Sequence, residues 1–236
     1  MTNEPYVHTL IVDLDRCLID SNVMQRALED AYVRVVGSEA TLLRQIEQVV
    51  SQSGGSFDMV TALSEQVTTE QLSDIKQRFL DAIQYDEAIY ETGAKQFLRT
   101  LRDQQKPFFI MTYGGEEWQN WKMAAAHVLD VPHIILGSKD KGVYITNHYD
   151  AFGSCYAFDD IAMHEGPWYT QSLTLLDDKA ISFSGLNAPR SNGYWYWPRD
   201  RELLATQSIG QDRLPATVRK VASFQEVIDC LEGMTQ

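Results

Sequence analysis

The stretch Thr9-Leu10-Ile11-Val12-Asp13-Leu14-Asp15 decides how this chain is read. Thr9 to Val12 is a short apolar run rich in β-branched residues, and it stops abruptly at two acids. A run of this length and composition reads as a buried strand whose carboxyl end carries two carboxylates. Immediately downstream, Asp20 and Ser21 offer capping side chains ahead of a helical pattern with apolar residues at Met24, Leu28, Tyr32 and Val35.

Working outward, helical periods continue through Leu42, Leu43, Ile46, Val49 and Val50, then Phe57, Val60 and Leu63, then Leu72, Ile75, Phe79 and Ile83. Thr68 with Gln71 fits a capping box ahead of the last of these. From about residue 21 to 90 the chain reads as a run of helices without a strand. After Gly93 the rhythm becomes an alternation. A helix through Phe97, Leu98 and Leu101 meets Pro107, and Phe108 to Met111 reads as a second buried strand ending at Thr112, before Gly114 and Gly115. Glu116 to Leu129 is helical, His133 to Leu136 is a third strand, and residues 137 to 142 form a loop with Lys139 and Lys141. Val143 to Thr146 reads as a further short strand, whereas Asn147 to Gln171 carries no clear period. Leu173 to Leu176 is an apolar strand closed by Asp177 and Asp178, ahead of a helix-like Lys179 to Leu186. Tyr194 to Trp197 reads as an aromatic strand packed into the core, and Phe224 to Leu231 as a closing helix. Strands alternating with helices imply an α/β fold with a parallel sheet, whose ligand crevice lies outside the carboxyl ends of the strands.

That rule gives the polar residues one address. Asp13 and Asp15, Thr112, the Lys139 and Lys141 loop, and Asp177 with Asp178 all follow the carboxyl ends of expected strands. Four carboxylates brought into one crevice would raise one another's pKa unless a cation compensated them. A hard divalent ion such as Mg²⁺ suits carboxylate oxygens, and a lysine and a hydroxyl beside it suit a bound phosphate. Asp159 and Asp160 form another acidic pair, but without a clear strand before them they read as a helix face.

With 20 Lys and Arg against 33 Asp and Glu, the 236-residue chain carries a net charge of −13, which argues against nucleic acid and anionic membrane as partners. Met1 to His8 lacks the basic start and apolar run of a signal peptide, and no apolar stretch approaches the roughly 18 residues of a membrane span. Cys17, Cys155 and Cys230 are few, odd in number and far apart, which fits a reducing cytoplasm. The five histidines lack metal-ligand spacing.

The run from Leu10 to Ser21 resembles the opening motif of the haloacid dehalogenase-like superfamily, an apolar strand followed by DxDGTLxDS. Phe108 to Thr112 looks like the second motif of that family, Lys141-Gly142 like its third and Leu173 to Asp178 like its fourth in the DD form. The order is right across residues 7 to about 200. The resemblance implies a Rossmann-like parallel sheet core with helices on both faces, spanning residues 1–19 and 91–236, and an all-helical cap inserted at 20–90. It implies a Mg²⁺-dependent phosphatase acting on a small phosphorylated metabolite. In that scheme Asp13 is the nucleophile that forms an aspartyl-phosphate, and Asp15 is the general acid and base. Thr112 and Lys141, or Lys139 in its place, hold the phosphoryl oxygens. Asp13, the Asp15 backbone carbonyl and Asp178 bind the metal, with Asp177 the other candidate of the pair. Thr112 could instead only cap the helix after it. A phosphomutase or phosphotransferase on the same core, or a catalytically silent phosphate-binding protein, are the rival expectations. Arg16 and Cys17 depart from the Gly and Thr usual in the first motif: an arginine there could narrow the site, contact the phosphate or face solvent.

Overall fold

The structure, a computed structural model, describes residues 6–37, 45, 58–83, 86–198 and 214–233. In chain order the elements are β1 (Thr9–Val12), α1 (Ser21–Val36), α2 (Met59–Ser64), α3 (Thr69–Ile83), α4 (Ala94–Asp103), β2 (Phe108–Tyr113), α5 (Glu116–Ala125), β3 (His133–Leu136) and α6 (Lys141–Asn147). They continue with β4 (Tyr149–Asp150), β5 (Cys155–Phe158), β6 (Trp168–Thr170), β7 (Leu173–Asp177), β8 (Ser191–Tyr196), β9 (Val218–Val221) and α7 (Phe224–Gly233).

Six strands form one parallel sheet in the order β3-β2-β1-β7-β8-β9, so β1 lies in the interior with β2 and β7 on either side. Successive side chains of a strand point to opposite faces. Leu10, Val12, Ile110, Leu176 and Tyr194 therefore join one apolar cluster, packed under α1, α3, α4, α5 and α7. Ile11, Phe109, Met111, Leu173, Leu175 and Trp195 join the other. Burial on both faces is why the strands read as continuous apolar runs. The second face is covered by Ile145 of α6, by Phe183 of a short 3-10 turn at Ala180–Phe183, and by Tyr156, Phe158 and Trp168 of a second sheet. That sheet is antiparallel, in the order β4-β5-β6, and occupies the stretch whose pattern the sequence did not disclose.

The expected signals at the helix ends are in place. The Asp20 side chain accepts from the backbone N–H groups of Asn22 and Val23, and Gly37 closes α1 at φ +74. Thr68 and Gln71 bond each other's backbone N–H reciprocally. Each cap of this kind contributes about 1 kcal/mol. The helical period over Leu42–Val50, with Phe57, lies outside the described residues. α1, α2 and α3 share one continuous apolar cluster with the sheet and α5, in which Phe79 packs against Trp118 and Trp121.

Two readings are corrected. Val143–Thr146 is not a strand but the body of α6. Its β-branched residues mimic a strand, but the Thr146 hydroxyl donates to the Gly185 carbonyl at 2.7 Å and accepts from the Asn187 N–H, contacts that fasten a helical turn beside the 3-10 segment. Asp159 and Asp160 lie past the end of β5 rather than on a helix, and the Tyr144 hydroxyl sits 2.6 Å from both Asp160 oxygens. Among the described residues no helix is long and apolar enough to cross a membrane.

Candidate active site

The parallel sheet brings Asp13, Thr112 and Asp177 to one pole, because each stands at or just past the carboxyl end of a neighbouring strand. Lys141 arrives from the first turn of α6, after β3. Its ammonium bonds Asp13 Oδ1 and lies 2.6 Å from Asp177 Oδ2, with all three side chains no more than 2% exposed. The other Asp177 oxygen accepts from the Lys179 backbone N–H at 2.8 Å. Both oxygens of Asp177 are thus committed, whereas Asp13 Oδ2 is buried without a hydrogen-bond partner. The Thr112 hydroxyl, near the carboxyl end of the neighbouring strand β2, is also buried and unpartnered. Lys139 lies over the Tyr113 ring at 5.4 Å, so Lys141 is the lysine that enters the acidic group and Lys139 remains at its margin.

Carboxylate oxygens of Asp13, Asp177 and Asp178 lie within 4.8 Å of one another. Burial, followed by the Asp177 charge, raises the pKa of Asp13 to about 7 against the pull of Lys141. Burial acts to lower Lys141, but the charges of Asp13 and Asp177 override it and raise its pKa. Lys141 and Lys179 pull Asp13 down, yet its pKa stays raised. The free Asp13 oxygen and the clustered acids fit a hard divalent cation held by Asp13 and Asp178, with Asp177 engaged by Lys141 and Lys179.

Asp15 does not join this group, although the four acids were expected together. Lys122 of α5 places its ammonium 2.6 Å from both Asp15 oxygens, the Ser21 hydroxyl donates to Oδ1 at 2.7 Å, and the Gln119 amide donates to Oδ2 at 3.0 Å. Gln119 also donates to the Tyr113 carbonyl, which ties this network to the end of β2. Burial works to raise Asp15, but the Lys122 charge and these hydrogen bonds hold its carboxyl well below the usual range. Lys122, Gln119 and Lys179 were missed in the sequence. The available signal was the pairing of Gln119 and Lys122 three residues apart on a helix face shared with Trp118, where polar side chains need a buried partner.

Arg16 adopts φ +58 and sets its Nε 3.4 Å from Asp178 Oδ2, with about half of its side chain exposed. The left-handed turn explains why a glycine suits this position. Cys17 is buried, and burial with the nearby acids pushes its thiol far up, which disfavours a thiolate nucleophile. Lys179 reaches the Tyr113 ring at 4.6 Å.

No family model matches the chain, and no curated protein matches it in sequence. Solved structures do. A protein described as a haloacid dehalogenase-like hydrolase from Burkholderia xenovorans LB400 superposes with a TM-score of 0.64 at 18% identity, covering 95% of this chain and 99% of the other. The HAD-hydrolase YfnB from Bacillus subtilis, bound to magnesium, gives a TM-score of 0.54 at 13% identity over 97% and 99%. A protein described as a beta-phosphoglucomutase from Thermotoga maritima gives 0.51 at 11% identity over 96% and 99%. With a six-stranded parallel sheet in this order and its acids at the carboxyl pole, the chain has the fold of the haloacid dehalogenase-like hydrolases.

Proposed function

We propose that this chain is a Mg²⁺-dependent phosphatase acting on a small phosphorylated metabolite. The observation that carries the reading is the buried group of Asp13, Lys141, Asp177 and Asp178, with an unpartnered Asp13 oxygen, and an unpartnered Thr112 hydroxyl at the same carboxyl pole of the sheet. A charged nucleophile, a fixed ammonium and a hydroxyl donor in a buried site supply the positioning and charge neutralisation that phosphoryl transfer requires.

In this reading Asp13 attacks phosphorus, the bond from phosphorus to the leaving oxygen breaks, and an aspartyl-phosphate results. Lys141 and Thr112 hold phosphoryl oxygens, and water then releases phosphate. Asp13 and Asp178 would hold Mg²⁺, which supplies neutralisation of the phosphoryl charge. Asp15 takes up a proton on leaving Lys122, delivers it to the leaving oxygen, and later accepts one from the attacking water. In this reading segment 20–90 serves as the cap, and since Asp13, Thr112 and Lys141 are at most 1% exposed, substrate would enter by its opening. Asp58, the N-cap of α2, sits so close to Gly115 that a side chain at 115 would collide with it, so the closed segment bears on the loop after β2.

The ionised state of Asp15, locked by Lys122, favours one second reading, a phosphate-binding protein without turnover. Phosphate release from p-nitrophenyl phosphate and a set of phosphorylated metabolites, with Mg²⁺ and with EDTA, separates the two. The expected result is Mg²⁺-dependent release that falls at least about 10³-fold in Asp13→Asn. Release that survives this substitution removes Asp13 as nucleophile, and saturable phosphate binding without release on any substrate supports the silent protein.

A further inference from the structure

The amino ends of the same strands form the opposite pole of the sheet, roughly 13 Å from the acids at 3.3 Å per strand residue. A cleft of about 790 Å³ opens there, within the range of small-molecule sites. Leu10 at the start of β1, Pro107 ahead of β2 and Leu231 of α7 provide an apolar wall. Lys106 and Arg190, which precede β2 and β8, provide two cations, and among the described residues no carboxylate lines the cleft. Among the described residues neither cation belongs to an ion pair. In a chain of net charge −13 this is a local reversal of sign.

His8 adds a polar group to the lining. Burial, with the Lys106 charge, lowers its pKa, so the ring is neutral at pH 7. The Ser172 hydroxyl donates to the Val7 carbonyl at 2.7 Å and so accepts from His8 Nδ1 at 2.9 Å. That tautomer leaves Nε2 as an acceptor, and it is buried with no hydrogen-bond partner. An apolar wall and two cations are the complement of a molecule with an apolar body and an anionic head.

We propose that this cleft binds a small amphipathic carboxylate, with its apolar body against Leu10, Pro107 and Leu231 and its head group held by Lys106 and Arg190. The site is independent of the phosphate pocket. Calorimetric titration of the full chain with decanoate, decanol and acetate tests it. Expected are saturable one-to-one binding of decanoate and binding at least about tenfold weaker for decanol and acetate. The Lys106→Gln/Arg190→Gln variant should weaken decanoate at least about tenfold, and added salt should weaken the wild type but not this variant. Asp13→Asn should bind decanoate like the wild type. The proposal is overturned by the absence of saturable decanoate binding, by equal binding of decanol, by full affinity in the double variant with its melting temperature retained, or by loss of binding in Asp13→Asn. Should the double variant melt early, the salt dependence of the wild type decides: binding insensitive to salt rejects the charged head site.

Discussion

Asp13 and Asp15 stand two residues apart at the end of one strand, yet their surroundings drive them in opposite directions. Burial, followed by the charge of Asp177, raises the pKa of Asp13 to about 7, although Lys141, shared with Asp177, and Lys179 pull it down. Asp15 has Lys122 to itself, with Ser21 and Gln119 completing its hydrogen bonds, and its pKa is lowered. The same residue type becomes an undercompensated group that favours a further cation in one place and a satisfied ion pair in the other. Burial acts to raise both, and the partners decide the sign: Lys122 and two further hydrogen bonds override it at Asp15, whereas at Asp13 the Asp177 charge adds to it.

The largest test of this contrast removes the shared lysine. Lys141→Met leaves Asp13 and Asp177 buried without their common partner, and should cost about 3–5 kcal/mol in urea unfolding at pH 7; a loss under 1 kcal/mol, measured the same way, would mean that the acids are compensated otherwise. The next test uses pH. A raised folded-state pKa means that folded Asp13 holds a proton that the unfolded chain has released. In EDTA its contribution to stability should therefore fall as pH rises from 3.8 to about 7. Asp13→Asn should flatten that part of the profile, and an unchanged slope would refute the assignment.

Asp15 has the reverse sign. Its depressed folded pKa contributes stability that is fully present above the ordinary carboxylate value and lost as pH falls through the folded one. Lys122→Met should cost about 1–3 kcal/mol near pH 7, a deficit that narrows below pH ~4 as the unfolded carboxylate takes up its proton. A deficit that persists unchanged in acid would point to lost packing against Trp118 instead, since the Lys122 ammonium also lies 5.5 Å from that ring. The smallest expected effect is at Arg16. Arg16→Gly relieves a left-handed backbone and should gain at most about 1 kcal/mol, offset by the lost contact with Asp178.

Much of the acidic pole was legible because parallel strands buried on both faces are short apolar runs, and their ends are marked by the first polar residues. Asp13, Thr112 and Asp177 stand out for that reason. Lys122 did not, because its link to Asp15 spans 107 positions and depends on how α5 packs beside β2. The second sheet was hidden for a related reason: strands of two to four residues are too short to display a period, and their pairing is set by contact with the main sheet.

Taken alone, the sequence determined the alternation of strands and helices, the residues that close each buried strand, and a net charge of −13. Those properties follow from local burial and from charge count, which need no coordinates. Only the tertiary structure decided which lysine meets which acid, that Asp177 is tied up while Asp13 keeps an open oxygen, and that two cations and a neutral histidine line a cleft at the far pole. Electrostatic energy depends on distances of a few ångströms between groups remote in the chain, and those distances exist only once the sheet is assembled.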